Sequence, residues 1–157
     1  MNTSLVLLGL SMAIGSALVY QELRRSRVGF LLMGTAGVGA ALVGVFPEDT
    51  VYWAHLTGAD LAFLLGNIAL IAFGRGLHVP RWLSWYSIAS GAVALVALCL
   101  FLTQNRFFLG LGGMERVVAY PQTIWLIVFG LYLSGSRHRS AARTPMRRPP
   151  APTSISG

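Results

Sequence analysis

The chain has no lysine, one cysteine and only five acidic residues in 157 positions. Charged residues make up 11% of it, where a soluble domain carries roughly 25%. So little charge cannot cover a water-facing surface, which excludes an ordinary soluble globular domain. The lone Cys99 excludes an intrachain disulfide and, set in an apolar run, reads as a small hydrophobe. With lysine absent, the net charge of +7 comes entirely from arginine. The arginines fall in short loops and the tail rather than across a polar folded face, so nucleic-acid binding is not expected.

What is present is apolar. Hydrophobic residues make up 55% of the chain and the mean hydropathy is +0.65. Five runs are long enough to cross a ~30 Å hydrocarbon core, which needs about 20 helical residues. Their expected bounds are about 3–20, 28–46, 55–74, 82–102 and 116–134. The expected fold is an all-α polytopic transmembrane helix bundle, residues 1–134, with a disordered Pro/Arg-rich tail over 135–157. The first run lacks a basic leader and a small-residue cleavage site, so it reads as a span and not a signal peptide. The second run holds five glycines between Gly29 and Gly44, which suits an interior helix with close neighbours. Pro47 ends it. Tyr52, Trp53, Trp82, Trp85 and Tyr86 mark membrane interfaces. The glycine-rich Leu109–Gly113 has no preceding strand and no following Lys-Ser/Thr, so it reads as an interhelical loop and not a phosphate cradle. Pro121 lies near the start of the fifth run, tolerated in a first turn or kinking the helix.

Arginine counts set the orientation. Loop 21–27 has three, loop 75–81 has two and the tail has five, while the alternate loops hold Arg106 and, at a helix start, Arg116. The basic loops and the C-terminus are therefore expected on the cytoplasmic side of the cell membrane. An odd number of spans then leaves the N-terminus outside with no leading charge, and one reading is that a first helix is missing. The tail arginines suit contact with anionic lipid, at about 1 kcal/mol each near the surface.

The candidate chemistry gathers on the opposite face: Glu48, Asp49, His55, Asp60, Arg106, Glu115, Arg116 and Tyr120. Asp60 would lie ~7 Å into the third span at 1.5 Å per residue and needs a partner or a wet cavity there. Asn67, seven positions on, is expected on the same helix face. His55 and Asp60, five apart, point in different directions and make no obvious metal pair from one helix; a metal would need Glu48, Glu115 or another helix to supply ligands, and no metal and no cofactor are expected. Three readings stand. A structural one pairs Asp60 with Arg116. A binding one uses Glu48, His55, Asp60, Asn67, Arg116 and Tyr120 to line a cavity between spans two, three and five, open to membrane lipid. An enzymatic one makes the protein a hydrolase-like enzyme acting on a lipid at the outer leaflet through a metal or an acid/base pair, with His55 or Glu115 as base and Asp60 orienting it. A transporter is disfavoured, because the five spans show no internal repeat.

The motif set has a familiar look: a glycine-rich span closing on Gly44, Phe46, Pro47 and Glu48, then His55 and Asp60, then Gly112, Glu115, Arg116, Tyr120, Pro121 and Trp125. Over residues 2–134 this resembles the domain of unknown function 998 family of bacterial and archaeal membrane proteins. The resemblance implies a six-helix bundle, of which this chain supplies five. Residues Asn2-Thr3-Ser4-Leu5 are similar to the opening of the family's second helix, which implies that a first helix, or a partner membrane protein, completes the bundle. The family brings no established reaction.

Overall fold

A computed structural model describes residues 2–22, 26–104 and 109–143, with side chains for all of these except Glu22 and residues 137–143. Among the described residues there is helix and no strand. The helices are α1 (Thr3–Glu22), α2 (Arg27–Val45), α3 (Tyr52–Asp60), a π-helical segment (Leu61–Leu65), α4 (Gly66–Gly76), α5 (Arg81–Leu102) and α6 (Gly110–Arg143). The segments from Tyr52 to Gly76 form one continuous span, so five helices among the described residues are long and apolar enough to cross a membrane. The fold is the expected all-α polytopic bundle.

The chain divides into two units, Met1–Trp125 and Leu126–Gly157. The second, where described, is the C-terminal part of the α6 helix. In the first, α1 packs on α2, α2 on the whole Tyr52–Gly76 span, and α4 on α5. The outward residues are apolar: Leu7, Leu10, Ile14 and Leu18 on α1, and Val28, Leu31, Val38 and Val45 on α2, are all exposed. Hydrocarbon solvates such a surface, so helix association rests on close packing rather than on hydrophobic burial. Glycines supply that packing. A Cβ at Gly37 would stand 2.6 Å from the Gly9 carbonyl oxygen, and one at Gly39 would stand 2.6 Å from that of Gly58. Real side chains do not reach so close, so these backbones touch only because the side chains are missing.

Polar and aromatic groups lock the far end of the bundle. The rings of Tyr20 and Phe30 lie 6.4 Å apart, Phe30 and Phe73 4.8 Å apart, both edge-on, and Phe73 stacks on Trp125 at 4.8 Å. Trp125 Nε1 donates to Ser87 Oγ at 2.6 Å, and that hydroxyl donates to the Leu83 carbonyl at 2.7 Å.

Three boundaries differ from expectation by three residues or more. The third span begins at Tyr52, where Pro47 and the turn after it release the chain into helix. The fifth begins at Gly110, whose φ of +67° a glycine adopts without strain, so most of the glycine-rich stretch is helix and not loop. Pro121 then sits in the helix interior. At the other end α6 runs past 134 to Arg143. Arg106, Arg24, Arg25 and residues 144–157, most of the expected tail, lie outside the described residues.

Candidate functional site

At one end of the bundle the start of α1, the end of α2, and the starts of α3 and α6 come together. Pro47 forces Phe46 into an extended conformation (φ −109°, ψ 91°), which stops α2 at Val45. Thr50 closes the turn, its N–H and hydroxyl both donating to the Pro47 carbonyl at 3.0 and 2.9 Å. Asn2 N–H donates to the Gly44 carbonyl at 2.9 Å and ties the beginning of α1 to the same corner. The Phe46 carbonyl, left outside the helix, lies 3.0 Å from Nδ1 of the half-buried His55. A carbonyl only accepts, so Nδ1 is assigned the proton, and in the neutral ring Nε2 is the basic nitrogen.

His55 borders two cavities. One, of about 270 Å³, has Leu5 and Leu8 of α1, Ala40 and Val43 of α2, and Ala62 and Phe63 of the π segment as its apolar wall. Its polar groups are His55 and, from α6, Glu115, Arg116, Gln122 and Thr123. The second, of about 530 Å³, brings His55 and Glu48 beside Asn2, Thr3 and Ser4. Glu48, His55, Glu115 and Arg116 therefore share one end of the molecule. Arg116 Nη1 donates to the Gly112 carbonyl at 3.2 Å. Neither Glu115 nor Arg116 has an ion pair among the described residues. A groove of about 620 Å³ runs between α5 and α6, apolar along Val93, Val117, Pro121 and Ile124, with Tyr86 and Tyr120 on it. Arg116 lines this groove as well as the smaller cavity.

The structure adds a residue that sequence reasoning missed. Gln122 is 4% exposed, and its Oε1 is buried against Gly66 without a hydrogen-bond partner among the described residues. Such an acceptor typically costs about 1–3 kcal/mol. The signal was available, since Glu115, Ala119 and Gln122 follow at the four-and-three spacing that shares one helix face.

Asp60 is placed otherwise than expected. It is exposed, lines none of these cavities, and has no hydrogen bond or ion pair among the described residues. The Asp60–Arg116 pair is not formed. Asp60 lies on the outward stripe of Trp53, Leu56 and Leu64. Nor does it share a face with Asn67, which is wholly buried. The π segment between them is the reason: each wide turn takes up an extra residue, and one residue swings the following chain by about 100°. That rotation carries Asn67 inward, where its Nδ2 donates to the Phe63 carbonyl at 2.7 Å and to the Val118 carbonyl of α6 at 3.1 Å. Asn67 is thus a clamp between helices behind the cavity. Tyr120 is exposed and faces the groove. Among the described residues no three His, Cys, Asp or Glu side chains converge as metal ligands would.

Comparison with known proteins places these features. The family model described as "Protein of unknown function (DUF998)" matches residues 1–132. The Na(+)/H(+) antiporter NhaA 2 of Klebsiella pneumoniae is 35% identical over 102 residues, which is 61% of this chain and 26% of the antiporter. The chain thus spans about a quarter of the length of that curated relative. No solved structure matches.

Proposed function

From the premise that this chain belongs to the DUF998 family of proteins of unknown function, and is a multi-pass membrane protein with five apolar spans, we propose that it binds a membrane amphiphile at the polar-mouthed end of its bundle. One observation carries this reading. A mainly apolar cavity between helices ends in His55, Glu115 and Arg116, and on its wall is the amide of Gln122, whose buried oxygen has no partner. Apolar walls with a few convergent polar groups are what ligand sites use for affinity and orientation. A purely structural cluster would have paired these groups with one another.

The membrane setting extends the same reading. The arginine bias supports a cell-membrane protein with its C-terminus in the cytoplasm, which would put the site at the outer leaflet. The antiporter's activity does not transfer on a match to a quarter of its length. Intramembrane carboxylates of transporters face the bundle interior or a water-filled path, whereas Asp60 faces outward.

The test is native mass spectrometry of the full chain released from detergent. Wild type is expected to carry lipid-sized adducts and Arg116→Gln to lose most of them. Adduct-free wild type, or equal adducts on both proteins, would reject the reading.

A second reading draws on the His55–Phe46 hydrogen bond. A ring fixed through Nδ1 presents Nε2 as a base, which suits a membrane-embedded acid/base enzyme with the Glu115 carboxyl as the second catalytic group. Turnover of a bound ester lipid by wild type and not by His55→Ala would favour it, and identical lipid profiles for the two proteins would dismiss it.

A further inference from the structure

We infer that the amphiphile is a zwitterionic phospholipid whose headgroup carries a primary ammonium, with the phosphate on Arg116, the ammonium in the small cavity and an acyl chain along the α5–α6 groove; this rests on the binding reading above. Glu115 and Arg116 open onto the same cavity, and neither is neutralised by an ion pair among the described residues. A headgroup carrying only negative charge would set it against Glu115, and one carrying only positive charge against Arg116. A zwitterion satisfies both.

The kind of cation follows from the acceptors. Gln122 lines the cavity, but its Oε1 is buried against Gly66 and lacks a donor, so the amide must turn to present that oxygen to a ligand; Glu115 supplies carboxylate acceptors. They stand seven residues apart on one wall of α6, about 10 Å at 1.5 Å per residue. A primary ammonium brings three N–H donors to such groups, and a quaternary ammonium brings none. Quaternary ammonium sites are built instead from several Trp, Tyr or Phe faces, and Phe63 is the one such ring among this cavity's lining residues.

The place of the tail follows from Arg116. It lines both the small cavity and the groove, so a phosphate held there has the ammonium-binding wall on one side and an apolar channel on the other. A guanidinium suits phosphate through its planar pair of donors. The groove is lined by Ala89, Val93, Val117, Pro121 and Ile124, with the Tyr86 and Tyr120 rings at its side. Pro121 has no N–H, so the Val117 carbonyl lacks its usual helical donor and is available beside the same groove.

The experiment is native mass spectrometry of the full chain against an equimolar mixture of phosphatidylethanolamine, phosphatidylcholine and phosphatidylglycerol with identical acyl chains. Ethanolamine-lipid adducts are expected to exceed each of the others about tenfold, as one charge-assisted hydrogen bond would give. Glu115→Gln is expected to reduce the ethanolamine lipid to the level of the choline lipid, and Arg116→Gln to reduce all three. Val93→Trp fills the groove from a lipid-exposed position, which spares the fold. It is expected to lower all three lipids while keeping the preference among those that remain. Glycerol-lipid adducts equal to or above ethanolamine-lipid adducts, or a preference untouched by Glu115→Gln, would overturn the headgroup assignment. Undiminished adducts in Val93→Trp would overturn the tail assignment. Equal retention of all three lipids would refute the headgroup and leave the binding reading standing, whereas retention of none would refute the binding reading itself.

Discussion

Replacing Gln122 by methionine separates stability from binding, because the two should move in opposite directions. Gln122 is 4% exposed and its Oε1 has no partner among the described residues. Leaving a polar atom buried and unpaired costs about 1–3 kcal/mol. Methionine has the same unbranched length and an adaptable thioether, so it can lie against Gly66 where the amide does. Gln122→Met should therefore stabilise the lipid-free protein by about 1–3 kcal/mol. For a chain of this size that is roughly 2–4 °C per kcal/mol in melting temperature. The four tryptophans give the fluorescence signal for a thermal melt in lipid-free detergent. Added phosphatidylethanolamine should then raise the melting temperature of wild type, since a ligand that binds only the folded state stabilises it by mass action. It should raise that of Gln122→Met much less. A variant that melts below wild type without lipid, and gains as much from lipid, would refute the reasoning, because the amide would then be a structural group.

Asp60→Asn should leave lipid retention unchanged and shift stability by under about 0.5 kcal/mol, since an exposed carboxylate without partners loses little; native mass spectrometry and melting check the two halves. Gly39→Ala would push a Cβ to 2.6 Å from the Gly58 carbonyl and 2.8 Å from the Ala62 nitrogen, so it should destabilise by about 1–3 kcal/mol in a detergent melt. Gly15→Ala meets nothing within 4 Å and should instead be neutral or stabilising by about 0.5–1 kcal/mol. Asn67→Leu removes both N–H donors that tie Phe63 to Val118 but also the unpartnered buried Oδ1, so the two effects offset and the net cost should be under about 1–3 kcal/mol in the same assay.

The fold was legible in the sequence because it depends on bulk properties. Five apolar runs, breaks at Pro47 and Pro80, and arginine between spans suffice to find the helices. The glycines of the second run also announced close packing, and Gly37 and Gly39 do meet Gly9 and Gly58. The site was only partly legible. Glu48, His55, Glu115 and Arg116 do share one end, because alternating spans return the chain to the same face. Asp60 and Asn67 were misplaced because the face reading assumed 3.6 residues per turn. The wide turn at Leu61–Leu65 breaks that count, and no residue type in Leu-Ala-Phe-Leu-Leu signals it. Gln122 was overlooked for a simpler reason: an amide next to Pro121 draws less notice than a charge, although its spacing from Glu115 marks it as inward.

The most direct measurement is photocrosslinking in vesicles containing a phosphatidylethanolamine with a photoactivatable acyl chain, followed by peptide mapping. Crosslinks are expected to concentrate on Tyr86–Val93 and Val117–Ile124, the two walls of the α5–α6 groove, and to be largely removed by Arg116→Gln. Crosslinks spread evenly along the outward faces of α1 and α2, at Leu7, Leu10, Leu31 and Val38, and indifferent to Arg116, would contradict that placement of the lipid.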